Sequence, residues 1–251
     1  MKALVTGASS GIGEEITKYL ISLNIECIAV ARNEEKLKTL KTKLNNKIEI
    51  IQEDLSIKNN CIKLFDTLKS KNIDILVNCA GQGVIGKFTT TDLEKELEMI
   101  DLNIKSVHIL TKLFLNEMIK KDHGYILNIS SIGAFINGPL ISSYYASKSY
   151  VSSLTQAIDY ELKKEKSKVV ISCAYPGPVK TNFNKNANAY DLGNSYSSSY
   201  VAKYIIDSMF KKKKVIIPGF KIKILYLLIK ILPRKVFTYF SYIQTKKKLK
   251  K

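Results

Sequence analysis

The chain has 251 residues, 45% of them apolar, with 40 Lys and Arg against 22 Asp and Glu for a net charge of +18. That is enough for one sizeable domain with a core and too apolar for a disordered chain. The charge points to nucleic acid only until it is located: residues 211–251 hold thirteen Lys, one Arg and no acid, or +14, so a body with a charge of only +4 carries a basic, apolar tail.

Lys2-Ala3-Leu4-Val5 already reads as a buried strand, which leaves no stretch for a cleavable signal peptide and predicts a cytoplasmic protein. Further apolar runs without polar alternation at 27–31, 48–52, 73–77, 125–129, 169–174 and 215–217 predict strands covered on both faces. Helical periods fill the gaps at 12–23, 34–44, 57–69, 93–121, 143–163 and 200–210. This alternation predicts an α/β fold, a doubly wound parallel sheet, with one domain over 1–217 and a basic amphipathic extension over 218–251. Cys27, Cys61, Cys79 and Cys173 form no CxxC, and His108 and His123 have no partner at metal spacing, so reduced thiols and no metal are expected.

After the first strand comes Thr6-Gly7-Ala8-Ser9-Ser10-Gly11-Ile12-Gly13. Such a turn lets backbone approach a ligand while the following helix offers free N–H groups and the positive end of its dipole, which suits a pyrophosphate. The second strand ends in Ala31-Arg32-Asn33. An acid there would bind an adenosine ribose, whereas a planar guanidinium suits a 2′-phosphate, so NADPH is expected over NADH. Only two of the 40 basic residues are Arg, which makes Arg32 less ordinary than any one Lys.

On the helix over 143–163, Tyr144 and Lys148 share a face. An ammonium about 5 Å from the phenol, at an effective dielectric near 20, contributes about 3 kcal/mol, or roughly two pK units, in favour of phenolate. Thirteen residues earlier, Ser131 stands at the carboxyl end of the fifth strand, where parallel sheets open onto their ligands, and can hold a substrate oxygen. Ser130 is read as a serine capping the next loop.

Together, the turn at 6–13, Asn78-Cys79-Ala80-Gly81, Asn103, Ser131, the YxASK of 144–148, and Pro176-Gly177 followed by Thr181 resemble the short-chain dehydrogenase/reductase family in its single-domain form, over about residues 1–217. The resemblance implies a Rossmann-type sheet, a homo-oligomer (dimer or tetramer), and hydride transfer between NADP(H) and a carbonyl or alcohol substrate. It implies that Tyr144 is the acid/base, that Lys148 lowers its pKa and binds the nicotinamide ribose, and that Ser131 orients the substrate. Asn103 would hold a water linking Lys148 to solvent. Gly7, Ser9, Gly11, Ile12 and Gly13 would surround the phosphates, with Asp54 and Leu55 near adenine. Asn78, Ala80 and Gly81 would line the middle of the cofactor, and Gly177, Val179 and Thr181 its nicotinamide end. Cys79 departs from the family, which usually has a second Asn there, at a position that supports the sheet. The alternative of a catalytically idle NADP-binding sensor or scaffold would need none of the Tyr, Lys, Ser and Asn set.

The polar stretch between Thr181 and Tyr200 resembles the family's substrate loop by position, with Tyr190 and Tyr196 as candidate covers and exposed loop tyrosines as the plainer reading. Beyond Pro218-Gly219, residues 220–232 have helical potential, with an apolar face, Lys223 and Lys230 opposite, and lysine clusters at 211–214 and 246–251. A basic amphipathic helix reads as a membrane-surface element, which would make an anionic membrane a partner of 211–251 and place the enzyme at the inner membrane surface. A lipid-like or acyl substrate would fit that placement. Packing on the substrate mouth or on another subunit is the second reading, and nucleic acid the third. The longest Lys-free apolar run there is six residues, where a spanning helix needs about 20.

Overall fold

The computed structural model describes residues 1–181, 183 and 195–249. In chain order the elements are β1 (Lys2–Thr6), α1 (Gly11–Ser22), β2 (Glu26–Ala31), α2 (Glu34–Lys43), β3 (Ile48–Gln52), α3 (Lys58–Leu68), β4 (Ile75–Asn78), α4 (Leu93–Ile100) and α5 (Ser106–Lys120). There follow β5 (Tyr125–Ile129), α6 (Ser142–Lys164), β6 (Val170–Ala174), β7 (Val179–Lys180), β8 (Tyr196–Ser197), α7 (Ser198–Phe210), β9 (Val215–Ile216), α8 (Phe220–Ile231) and α9 (Arg234–Leu249).

The apolar runs become strands because both faces of the sheet are covered. Along β1, Ala3 and Val5 point into one buried cluster with Ile16, Leu20 and Ile205, while Leu4 points into the opposite one with Leu64, Leu76 and Leu110. Seven strands pair in the order β3-β2-β1-β4-β5-β6-β9, all parallel, so the doubly wound reading holds. The chain reverses its direction of growth between β1 and β4, and the crevice beyond their carboxyl ends is where this architecture takes ligands. The two-residue strands β7 and β8 form a separate parallel pair that the apolar pattern did not reveal.

The single helix expected over 93–121 is interrupted. Between α4 and α5, Asp101–Lys105 winds as a π-turn, in which the Ser106 N–H donates to the Asp101 carbonyl five residues back. Residues 234–249 form a further helix that the sequence did not announce. The thiols of Cys27, Cys61 and Cys173 are buried and free, and Cys79 is half-buried and free. Tyr190 and most of the loop between Thr181 and Tyr200 lie outside the described residues. Tyr196 stacks on Tyr200, with ring centroids 5.6 Å apart, and packs against Gly219.

Candidate active site

The glycine turn is shaped by what surrounds it. Gly7 has φ +69°, and a Cβ there would come within 2.8 Å of the Ala80 backbone. A Cβ on Gly13 would stand 2.4 Å from the Gly7 carbonyl oxygen. Ser10, the N-cap of α1, is extended and makes no side-chain cap bond, so the helix start is left for another acceptor. Ser9 and Ile12 are half-buried on this turn, with Ile12 leaning on the core, and the Thr181 methyl reaches the Gly11 Cα side. The Thr6 hydroxyl ties the turn to the end of β4 by accepting from the N–H groups of Cys79 (3.0 Å) and Ala80 (3.1 Å). Gly13→Ala is expected to cost about 1–3 kcal/mol through overpacking, a fall of about 3–10 °C in Tm, and to weaken nucleotide binding. Thermal unfolding with and without NADPH checks both.

A buried ladder sets helix α6 against the sheet. The Asn78 amide donates to Thr111 (3.0 Å) and Asn128 (2.8 Å), and the Asn128 amide donates to Thr155 on α6 (2.9 Å). The Ser130 hydroxyl donates to the Lys148 carbonyl at 2.7 Å, and the serine that caps the following turn is Ser131, which accepts from the Gly133 N–H at 3.1 Å. Asn78 is thus turned inward, and Leu55 is likewise packed in the core with Leu4 and Val30, leaving their backbones nearer the crevice than their side chains. Ala80 and Val179 lean on the two faces of the core.

This frame brings Tyr144, Lys148, Ser131 and Asn103 together. The Ser131 hydroxyl, which accepts from the Gly133 N–H at 3.1 Å, acts on the Tyr144 phenol to favour its ionised form. The Lys148 ammonium lies 5.8 Å from the Tyr144 ring centroid and donates to the Ile129 carbonyl at 3.0 Å. The π-turn swings the Asn103 side chain inward: its amide donates to the Gln82 carbonyl (2.9 Å) and Ser147 hydroxyl (3.0 Å), and its oxygen accepts from the Gln82 N–H (3.0 Å). Gly81 leaves the gap between them, since a Cβ there would meet the Asn103 oxygen at 3.1 Å and the Lys148 ammonium at 3.3 Å.

The expected effect of Lys148 on Tyr144 is corrected by burial. Desolvation pushes the Tyr144 pKa upward, and the Ser131 hydroxyl opposes it only in part. Desolvation also lowers Lys148 from 10.5 to about 8. The groups acting on Lys148 are the Cys79 and Cys173 thiols, themselves pushed up by burial to about 12 and about 11 and therefore neutral at pH 7. An unfolded chain binds the Lys148 proton more tightly than the native one, so the cost is present below about pH 8 and fades as pH rises toward 10.5. Lys148→Met is accordingly expected to raise stability at pH 7 by at most about 3 kcal/mol, with the gain narrowing between about pH 8 and 10.5. Denaturant titrations at several pH values measure it; a variant less stable than the parent at pH 7 would contradict the sign.

Phe183 and Glu98 were not foreseen, whereas the tail's packing beside the site follows one of the readings of its sequence. Phe183 covers Tyr144 with ring centroids 5.1 Å apart and fills the space beside Gly83. Glu98 pairs with the Arg32 guanidinium, which also donates to the Gln82 side chain (3.3 Å) and lies 3.8 Å from Asp54. From the tail, Ile222 covers Gly177, while the Tyr145 ring is wedged against Gly133 and Gly138. An aromatic in a substrate loop is a weak signal, and contacts between residues so distant in sequence leave none.

Known proteins share this fold and much of this sequence. The short chain dehydrogenase profile matches residues 1–191. An uncharacterized oxidoreductase of Staphylococcus epidermidis is 35% identical over 184 residues, 71% of this chain and 78% of that protein. The 3-oxoacyl-acyl-carrier-protein reductase of Rickettsia prowazekii is 34% identical over 189 residues, 74% of this chain and 76% of that one. Among solved structures, a short-chain dehydrogenase from Sphingobium yanoikuyae in complex with NADPH superposes with a TM-score of 0.82 at 25% identity, covering 87% of this chain and 88% of the other. With its parallel Rossmann-type sheet and this match over most of its length, the chain belongs to the short-chain dehydrogenase/reductase family of oxidoreductases.

Proposed function

We propose that the protein is an NADP(H)-dependent carbonyl reductase or alcohol dehydrogenase, working with NADPH in preference to NADH on a substrate with a lipid-like or acyl group. The observation that carries this reading is the convergence of Tyr144, Ser131, Lys148 and Asn103 beside a glycine cradle whose helix start has no side-chain cap.

The residues present fit a dinucleotide. The close approaches at Gly7 and Gly13 make a cradle that any side chain would fill, and the N-terminus of α1 favours phosphate oxygens. Arg32, at the end of β2, is a fork for a 2′-phosphate. Lys148 would hold the nicotinamide ribose hydroxyls. When bound, the nicotinamide supplies the hydride; the protein supplies orientation and the proton.

In reduction, the Tyr144 hydroxyl gives its proton to the carbonyl oxygen. Burial suits it to that role, because it keeps the phenol protonated throughout the neutral range. Ser131 holds the same oxygen by a second hydrogen bond. Asn103, fixed on both sides by Gln82 and Ser147, would position the water that returns a proton toward Lys148. Phe183 and Tyr145 give the surroundings of Tyr144 an apolar, aromatic character, which favours an acyl or aliphatic substrate over a small polar one.

NADPH depletion across aldehydes, ketones and 3-oxoacyl thioesters of increasing chain length tests the reading. Turnover rising with chain length is expected. Failure across the whole panel, with nucleotide binding intact, would overturn it.

A further inference from the structure

Helix α8 is apolar on two faces. Ile222 and Ile229 are buried in one cluster with Val151 and Tyr175, and Tyr226 packs edge-on against Phe135 with centroids 5.0 Å apart. On the outer side Phe220, Ile224, Leu227, Leu228 and Ile231 recur at helical spacing and stay exposed, with Phe220 at 76%, Leu227 at 58% and Ile231 at 79%. Helix α9 repeats the arrangement, with Phe237 buried while Tyr239 and Phe240 are more than 60% exposed. The tail thus combines two of the readings made from its sequence: its inner face packs beside the active site, and its outer face remains apolar and bare. A helix apolar on two faces calls for apolar surroundings on both, and the protein supplies only one.

Charge selects the other. Lys214 is paired with Asp159 at 2.8 Å, but Lys221, Lys223, Lys230, Arg234 and Lys235 have no carboxylate partner among the described residues. Residues 211–251 contain fourteen cations and no acid. A second copy docked through the same face would set this charge against itself, as a two-fold interface requires. A nucleic acid would neutralise the lysines but give Ile224, Leu227 and Ile231 nothing to stack on. An anionic bilayer does both: phosphate headgroups meet the cations, and acyl chains take the aliphatic side chains. No helix among the described residues is long and apolar enough to cross a membrane, so α8 would lie along the surface.

We propose that the outer face of α8 and α9 docks this enzyme on an anionic lipid bilayer. The docked tail is the same segment that covers Gly177 through Ile222 and packs Tyr226 on Phe135, so the active-site mouth is brought to the lipid surface. The docking itself does not depend on the catalytic reading.

The test is flotation of the full chain with vesicles of phosphatidylglycerol and phosphatidylcholine, or of phosphatidylcholine alone, with no substrate present. Binding to the anionic vesicles is expected to be at least about tenfold stronger, and to weaken by about tenfold when NaCl is raised from about 0.1 to 0.5 M. Leu227→Asp with Ile231→Asp should lower it by about tenfold or more, because two buried apolar contacts are replaced by charges that the headgroups repel. Lys221→Gln with Lys230→Gln keeps the apolar face intact and should lower it several-fold. Absence of flotation with anionic vesicles, or binding indifferent to both double variants, would overturn the proposal. So would light scattering that shows a dimer broken by Leu227→Asp with Ile231→Asp, since a second copy would then own the face.

Discussion

Tyr144→Phe is expected to lower kcat for carbonyl reduction by about 10²–10⁴-fold, the usual contribution of a positioned acid, while the dissociation constant for NADPH stays within about twofold. The substitution removes one oxygen. The ring keeps its contacts with Phe183 (5.1 Å) and Tyr145 (6.0 Å), so the wall of the site survives. What is lost is the proton donor and the group that the Ser131 hydroxyl addresses. Loss of nucleotide binding in this variant would assign Tyr144 to the scaffold, and retained turnover would remove it from the chemistry. Stopped-flow reduction alongside fluorescence titration of NADPH separates these outcomes.

The second large effect concerns the choice of cofactor. Arg32→Ala should move the ratio of kcat/KM for NADPH over NADH by about 10–100-fold toward NADH, the range expected when a charge-assisted hydrogen-bonded pair is removed. The guanidinium is engaged by Glu98 and Gln82. That does not argue against a phosphate role, because Arg32 is 48% and Glu98 41% exposed, and an exposed pair contributes only about 0–1 kcal/mol. A phosphate taking the fork in bidentate fashion has the stronger claim. Glu98 is nonetheless a competitor, so Glu98→Gln should move the ratio by up to about fivefold in the opposite direction. Steady-state kinetics with both nucleotides decides it; ratios unchanged in both variants would mean that the 2′-phosphate is not read here.

Much of the frame was legible because it depends on local regularities. Apolar runs such as Tyr125–Ile129 are long enough to mark a strand buried on both sides, and the glycines at 7, 11 and 13 sit between such a run and a helical period. Other features are set by tertiary surroundings. No residue type in 93–121 signals that one turn must widen so that Asn103 reaches Gln82 and Ser147. Helix α9 escaped notice because its buried positions, Phe237, Ser241 and Thr245, are mostly polar, so its apolar residues show no inward period. The relation of Tyr144 to Lys148 was legible as proximity, but the net shift of the phenol was not. A charge estimate from spacing leaves out the cost of removing the groups from water, and desolvation is the largest influence on both. Glu98 stands 66 positions from Arg32 and meets it only in the folded chain.

In the proposed reaction hydride goes to a carbonyl carbon while Tyr144 supplies the proton. Its most direct test is reduction of an active carbonyl substrate with NADPH deuterated at the transferring C4 position, followed by mass spectrometry and NMR of the alcohol. Deuterium at the carbinol carbon of a single stereoisomer, with incorporation collapsing in Tyr144→Phe, is the predicted result. Nucleotide oxidation without deuterium at that carbon, or equal incorporation by the Phe variant, would contradict it.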